Sequence, residues 1–68
     1  MIKGIENLTK SQREMILKLN DMQRDCIESP SVKRGLELVE VWTDENNIVC
    51  GKCKNGIWYH YLENGTWY

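Results

Sequence analysis

The sequence predicts an α+β fold: one N-terminal amphipathic helix packed on a three- to four-stranded antiparallel β-meander. Three observations carry that expectation. Apolar residues between Met15 and Ile27 recur at three- and four-residue steps, the period of one helix face. Two Asn-Gly dipeptides, Asn55-Gly56 and Asn64-Gly65, punctuate the second half, and that dipeptide is a strong short-range hairpin signal. The intervals around them are rich in β-branched and aromatic residues, which strands favour.

Taken in order, the helix spans about residues 10–28. Thr9 with Gln12, and Ser11 with Glu14, both have capping-box spacing, in which a side chain at each end satisfies an orphan N–H of the other. Met15, Ile16, Leu19, Met22, Cys26 and Ile27 form the apolar stripe, with Lys18, Asp21, Arg24, Asp25 and Glu28 largely off it. Ser29-Pro30 ends the helix, because the residue before proline is pushed out of the α region. The same pair also suits the start of a second, short helix, with proline at its first position and Val32, Leu36 and Val39 at helical spacing. Leu36–Trp42 nevertheless has strand composition and follows Gly35, so a strand over about 36–43 is favoured there. Asp44–Asn47 reads as a turn, and further strands are expected over about 48–54, 57–63 and 66–68. Residues 1–68 are expected to form a single small domain.

A chain of 68 residues buries only about 60% of the surface its unfolded form exposes. Domains this small often lean on a disulfide, a metal or self-association. Three cysteines, an odd number, argue against a disulfide framework. Residues 1–7 lack an apolar stretch of signal-peptide length, so a cytoplasmic location is expected. The net charge of −1 conceals an asymmetry: residues 1–34 hold seven Lys/Arg and five Asp/Glu, residues 35–68 two and five. All tryptophans and tyrosines lie in that acidic half, which disfavours nucleic acid as a partner, since phosphate contacts call for a basic stripe.

Two-residue type I′ turns at both Asn-Gly sites set the expected register. Cys53 then pairs with Trp58, Gly51 with His60, Cys50 with Tyr61, Val49 with Leu62 and Leu62 with Trp67. One face carries Val49, Cys53, Trp58, Leu62 and Trp67, with His60 over Gly51, and serves as the core under the helix. The other carries Ile48, Cys50, Ile57, Tyr59, Tyr61 and Tyr68, with Lys52 and Lys54. Antiparallel sheets with one wet face normally alternate apolar and polar residues. A single helix leaves this second, apolar strip uncovered, and such patches often mark partner surfaces. The expected partner-binding residues are therefore Tyr59, Tyr61, Tyr68, Ile57 and Ile48.

Several motifs bear on chemistry. Cys50-Gly51-Lys52-Cys53 has zinc-knuckle spacing, and Cys26 and His60 would complete four ligands. In a regular strand, however, Cys50 and Cys53 point to opposite sides, so this metal reading competes with the hairpin reading. A thioredoxin-like redox pair needs its first cysteine at a helix N-terminus, and these flanks read as strand. His60, the only histidine, has Cys53 as a possible diagonal neighbour, but beneath the helix. No acid pair or glycine-rich phosphate loop accompanies it, so no catalytic residue and no cofactor is expected, and the chain is read as non-enzymatic. The segment from Gly51 to Gly65 resembles a single choline-binding cell-wall repeat in its Asn-Gly, Trp-Tyr and closing Asn-Gly elements. That likeness covers less than a quarter of the chain, in one copy, with Lys52 where the family usually has tryptophan. Hairpin grammar alone accounts for it.

The expected function is that of a small protein-binding modulator acting through its aromatic sheet face. An inhibitory or accessory protein of a phage or mobile element fits that description, and homodimerisation through the same face is open. The alternative is a small nucleic-acid-binding regulatory module, with or without a zinc knuckle, in which Trp58, Tyr59 or Tyr61 stack on bases.

Overall fold

The computed structural model describes all residues from Met1 to Tyr68. A 3-10 turn at Ile5–Asn7 precedes helix α1 (Lys10–Asp25), helix α2 (Pro30–Gly35) and strands β1 (Leu38–Thr43), β2 (Val49–Cys53) and β3 (Trp58–Tyr61). The three strands form an antiparallel sheet in the order β1-β2-β3, and α1 packs on one face of it, against β2 and β3. The α+β arrangement expected from the sequence is the one observed.

Local chemistry explains where the helices begin and end. The Thr9 hydroxyl accepts from the Gln12 backbone N–H at 3.1 Å, while the Gln12 side-chain carbonyl accepts from the Thr9 N–H at 2.9 Å. Of the two capping boxes that the spacing allowed, this is the one formed. The helix stops at Asp25, three residues short of the expected end. Residues 30–42 split between the two readings: Pro30 opens a six-residue helix, and the strand starts only at Leu38. Two N–H groups of the β2–β3 loop lock this junction to the sheet, Lys54 donating to Glu37 O (2.8 Å) and Asn55 to Gly35 O (2.9 Å).

The buried face of α1 is Ile16, Leu19, Asn20 and Gln23. It is rotated from the expected stripe: Met22 and Cys26 are exposed and Met15 and Ile27 only partly buried. Two buried amides are tolerable because both are satisfied, as buried polar groups must be. Asn20 donates to the Leu36 carbonyl at 2.9 Å, and Gln23 accepts from the Tyr61 hydroxyl at 2.8 Å. These bonds tie α1 to the α2–β1 junction and to the end of β3. Leu8, Leu36, Leu38, Val41, Val49 and Cys53 complete the core.

All three hairpins use one turn, and it is not the two-residue turn expected. In each, a bonded pair flanks three loop residues, the third of which is left-handed. Asp44 N–H donates to Ile48 O (3.0 Å), Cys53 to Ile57 O (2.8 Å) and Leu62 to Thr66 O (2.8 Å). The left-handed residues are Asn47 (φ 62°), Gly56 (φ 90°) and Gly65 (φ 90°). Asn55 and Asn64 do not have positive φ, as a type I′ turn would need; the pattern is the three-residue loop closing in a bulge. Asn55 and Asn64 instead accept from the N–H two residues on, at Ile57 (2.9 Å) and Thr66 (3.1 Å). The turns recur every nine residues, with asparagine at the centre of each: Asn46, Asn55 and Asn64.

The extra loop residue shifts β3 by one, and a one-residue slip exchanges its faces. Observed partners are Val49 with Tyr61, Cys50 with His60, Gly51 with Tyr59 and Lys52 with Trp58. Tyr59 and Tyr61 therefore point toward α1, and Trp58 and His60 point away, the reverse of the expectation. The same shift at the last turn pairs Tyr61 with Trp67, so the two slips cancel. Trp67 packs against the core and Tyr68 lies on the open side, as expected.

Candidate functional site

The face of the sheet opposite α1 carries the candidate site. Cross-strand pairing places Glu40 and Trp42 of β1, Cys50 and Lys52 of β2, and Trp58 and His60 of β3 there. The chain end adds Tyr68, whose N–H and C=O exchange bonds with those of His60 at 3.1 and 2.9 Å. The rings form a continuous ladder. Trp42 and Trp58 approach to 5.8 Å between centroids, Trp58 and His60 to 5.0 Å, and His60 stacks on Tyr68 at 4.4 Å with planes only 10° apart. Trp58 is 51% and Tyr68 62% exposed. No helix covers this face, and Pro30–Arg34 of α2 lie in solvent.

Of the residues expected to bind a partner, Tyr61 is 1% exposed and belongs to the core. Tyr59 is partly buried against that core. Both corrections follow from the shifted register. Tyr68 and Ile57 are exposed, and Ile48 is half-buried opposite Asp44. Trp58, assigned to the core, is in fact the centre of the open ladder. Trp42 was legible as a strand residue but not as part of this face, because its role depends on pairing with Cys50.

Both free edges of the sheet are occupied. Lys3 pairs with the outer side of β1, donating to Val39 O at 3.0 Å and accepting from Val41 N–H at 2.8 Å. The 66–68 segment does the same for β3. Strand addition, the usual use of an exposed edge, is therefore blocked at these positions.

The four-ligand metal set Cys26, Cys50, Cys53 and His60 is not assembled. Cys53 lies under α1, and Cys26 is exposed at the α1 C-terminus. Cys50 and His60, in contrast, are direct cross-strand partners on the open face. Asp44, at the end of β1, joins them, so that one donor atom from each residue lies within 4.8 Å of the other two. Asp44 Oδ1 accepts from the Asn46 and Ile48 N–H groups, both at 2.9 Å, which fixes its carboxylate.

A cysteine, a histidine and an aspartate also make up a nucleophilic triad, but the electrostatics oppose that use. Burial pushes the Cys50 thiol up, and the neighbouring Asp44 carboxylate pushes it further. An activated cysteine needs the opposite environment. The Cys53 thiol is likewise raised by burial, partly offset by the nearby Tyr61 hydroxyl, and the Tyr61 phenol is held well above its usual range, chiefly by burial. The largest cleft, about 430 Å³, lies on the far side between α1 and the 62–65 turn, lined by Met15, Leu19, Met22 and Leu62 with Glu14, Lys18 and Glu63 at its rim. It shares no residue with the aromatic ladder.

No helix is long and apolar enough to cross a membrane. Comparison with known proteins gives no match, whether to family models, to curated proteins or to solved structures.

Proposed function

We propose that this chain is a non-enzymatic binding module that docks another protein on the open face of its sheet. The single observation carrying this reading is the ladder Trp42–Trp58–His60–Tyr68, a connected aromatic surface left outside the core. Tryptophan and tyrosine suit the centre of an interface because each offers a large apolar area and a polar edge that tolerates water. The charges beside the ladder are mixed: Lys52 pairs with Glu40, and Asp44 is close by. That balance favours a protein over a nucleic acid, whose phosphates would meet no basic stripe. A modulator of the protein it docks is the role this architecture supports, in a phage or mobile element or elsewhere.

The test compares the natural chain with a Trp42→Ser/Trp58→Ser double variant. Proteins captured by each from the native cell are identified, and the captured protein is purified and titrated directly. Binding is expected to fall at least about 100-fold in the variant, as loss of two central aromatics implies, with little dependence on salt. Retained binding in a folded variant overturns the reading. So does capture of nucleic acid with steep salt dependence. Sedimentation of the purified chain shows whether the protein docked is a second copy.

A further inference from the structure

The geometry points to a zinc-class cation site formed by Asp44, Cys50 and His60 beside the aromatic ladder. The three donors come from the β1–β2 turn, the central strand and β3, and only the observed register brings them together. With the register shifted by one, His60 would lie beneath α1 while Cys50 stayed outside.

The donor set selects the metal. One thiolate, one imidazole and one carboxylate suit zinc, whereas magnesium and calcium prefer oxygen alone. Three protein ligands in a tetrahedral ion leave a fourth position for water or for a donor from a bound partner. Bonds of about 2.0–2.3 Å to zinc require the donors to stand somewhat closer than their present limit of 4.8 Å. Side-chain rotation alone supplies an adjustment of that size, since the backbone pairs Cys50 with His60.

The surroundings pre-position each ligand. Asp44 Oδ1 is held by the two backbone N–H groups of its own turn, which leaves Oδ2 to face an ion. The His60 ring is stacked on Tyr68 and flanked by Trp58, so its plane is set before any ion arrives. Cys50, 1% exposed, supplies a sulfur shielded from bulk solvent. Ligands oriented in this way by neighbouring groups bind metal more tightly than free ones. The site does not depend on the docking proposal, and its failure would leave that proposal standing.

The experiment uses the full chain with its thiols reduced. Zinc is titrated by calorimetry and cobalt(II) by absorption, since a cobalt–thiolate bond gives a charge-transfer band and tetrahedral cobalt gives intense visible bands. One ion per chain is expected, with a rise in melting temperature and no response to magnesium or calcium. Cys50→Ser should abolish the charge-transfer band, and His60→Gln and Asp44→Asn should each weaken binding at least about tenfold. Cys26→Ser, which removes the exposed thiol, should change nothing. Absence of saturable binding overturns the site, as does a band that survives Cys50→Ser and disappears with Cys26→Ser. If Cys50→Ser fails to fold, the half-exposed His60 and Asp44 decide: unchanged affinity in both variants overturns the site.

Discussion

Tyr61 and Trp58 lie three residues apart on one short strand, and the two faces of the sheet treat them in opposite ways. Tyr61 is sealed beneath α1, with its hydroxyl bonded to Gln23. Trp58 has half its surface in solvent, pairs across the sheet with Lys52 and approaches the rings of Trp42 and His60. Size and hydrophobicity do not separate these residues; position relative to the single long helix does. On the covered face, apolar contacts are supplemented by a polar network linking Asn20, Gln23, Tyr61 and the Leu36 carbonyl. On the open face, side chains stack on one another and nothing lies above them. The covered face therefore holds the buried contacts that stabilise the fold, and the open face leaves its rings in solvent.

Tyr61→Ala should break this contrast most severely. Removing a fully buried aromatic costs about 3–5 kcal/mol, and it also leaves Gln23 without its phenol donor. A domain of this size has roughly that much stability in total, so denaturant titration followed by circular dichroism should find the variant largely unfolded. Gly51→Ala comes next. A Cβ at Gly51 would stand 2.7 Å from Leu38 Cδ2 and 3.1 Å from both Ile16 Cδ1 and Tyr61 Cε2. Overpacking of that kind costs about 1–3 kcal/mol, read as a lower midpoint with an unchanged slope. Gly51 is thus the site where the central strand makes room for the helix and Tyr61.

The turns give a smaller and more selective effect. A Cβ at Gly56 would meet nothing within 4 Å, but φ is 90°, so Gly56→Ala should cost about 1–2 kcal/mol through backbone strain alone. Gly56→Asn should cost less, because Asn47 already occupies the equivalent turn position with φ of 62°. Equal losses for both substitutions, measured by thermal melting, would show that the three turns are not interchangeable.

Those turns also explain how much of the molecule was legible in advance. The helix start at Thr9 and the antiparallel meander follow from local signals that tertiary structure did not override. The faces of β3 do not, because Asn-Gly serves both a two-residue turn and a three-residue loop ending in left-handed glycine. The choice between them decides every residue from Trp58 to Tyr61. A discriminating signal was present: Asn46, Asn55 and Asn64 are nine residues apart, and Asn47 cannot be explained by an Asn-Gly rule. Asn20 and Gln23 were overlooked because amides do not register in an apolar stripe, although their spacing from Ile16 and Leu19 places them on the same helical face. Asp44 escaped the metal-ligand reading for a different reason. Its proximity to Cys50 and His60 arises from two strand registers and leaves no trace in spacing along the chain.

Alkaline titration reads burial on both faces. Cys53 and Tyr61 on the covered side, and Cys50 beneath the ladder, all have folded-state pKa values shifted upward from ordinary values of 9.0 for the thiols and 10.0 for the phenol. Below pH 9 both folded and unfolded chains keep these protons, and stability is unaffected. As pH rises past 9 the unfolded chain releases protons that the folded chain retains, so the unfolded state gains and stability falls. The decline should begin near pH 9 and steepen above 10, and Tyr61→Phe should flatten the upper part. A stability that stays level from pH 8 to pH 11 would mean that these groups are better hydrated than their burial indicates.

The smallest effect on stability is expected where the effect on binding is largest. Trp58→Ser removes an aromatic as bulky as any in the core, yet half of it is already in water and its ring contacts are tilted approaches to Trp42 and His60 on the open face. Aromatic pairs of this kind contribute about 0.5–1.5 kcal/mol each, and relief of exposed apolar surface works in the other direction. A net cost of about 1 kcal/mol or less should follow, a few degrees in melting temperature for a domain of this length. Set beside Tyr61→Ala, this variant points to the helix as the cause of the difference, since strand and side-chain class are otherwise shared. A loss as large as that of Tyr61 would mean that the ladder is a second core, and that the open face contributes to folding before it contributes to binding.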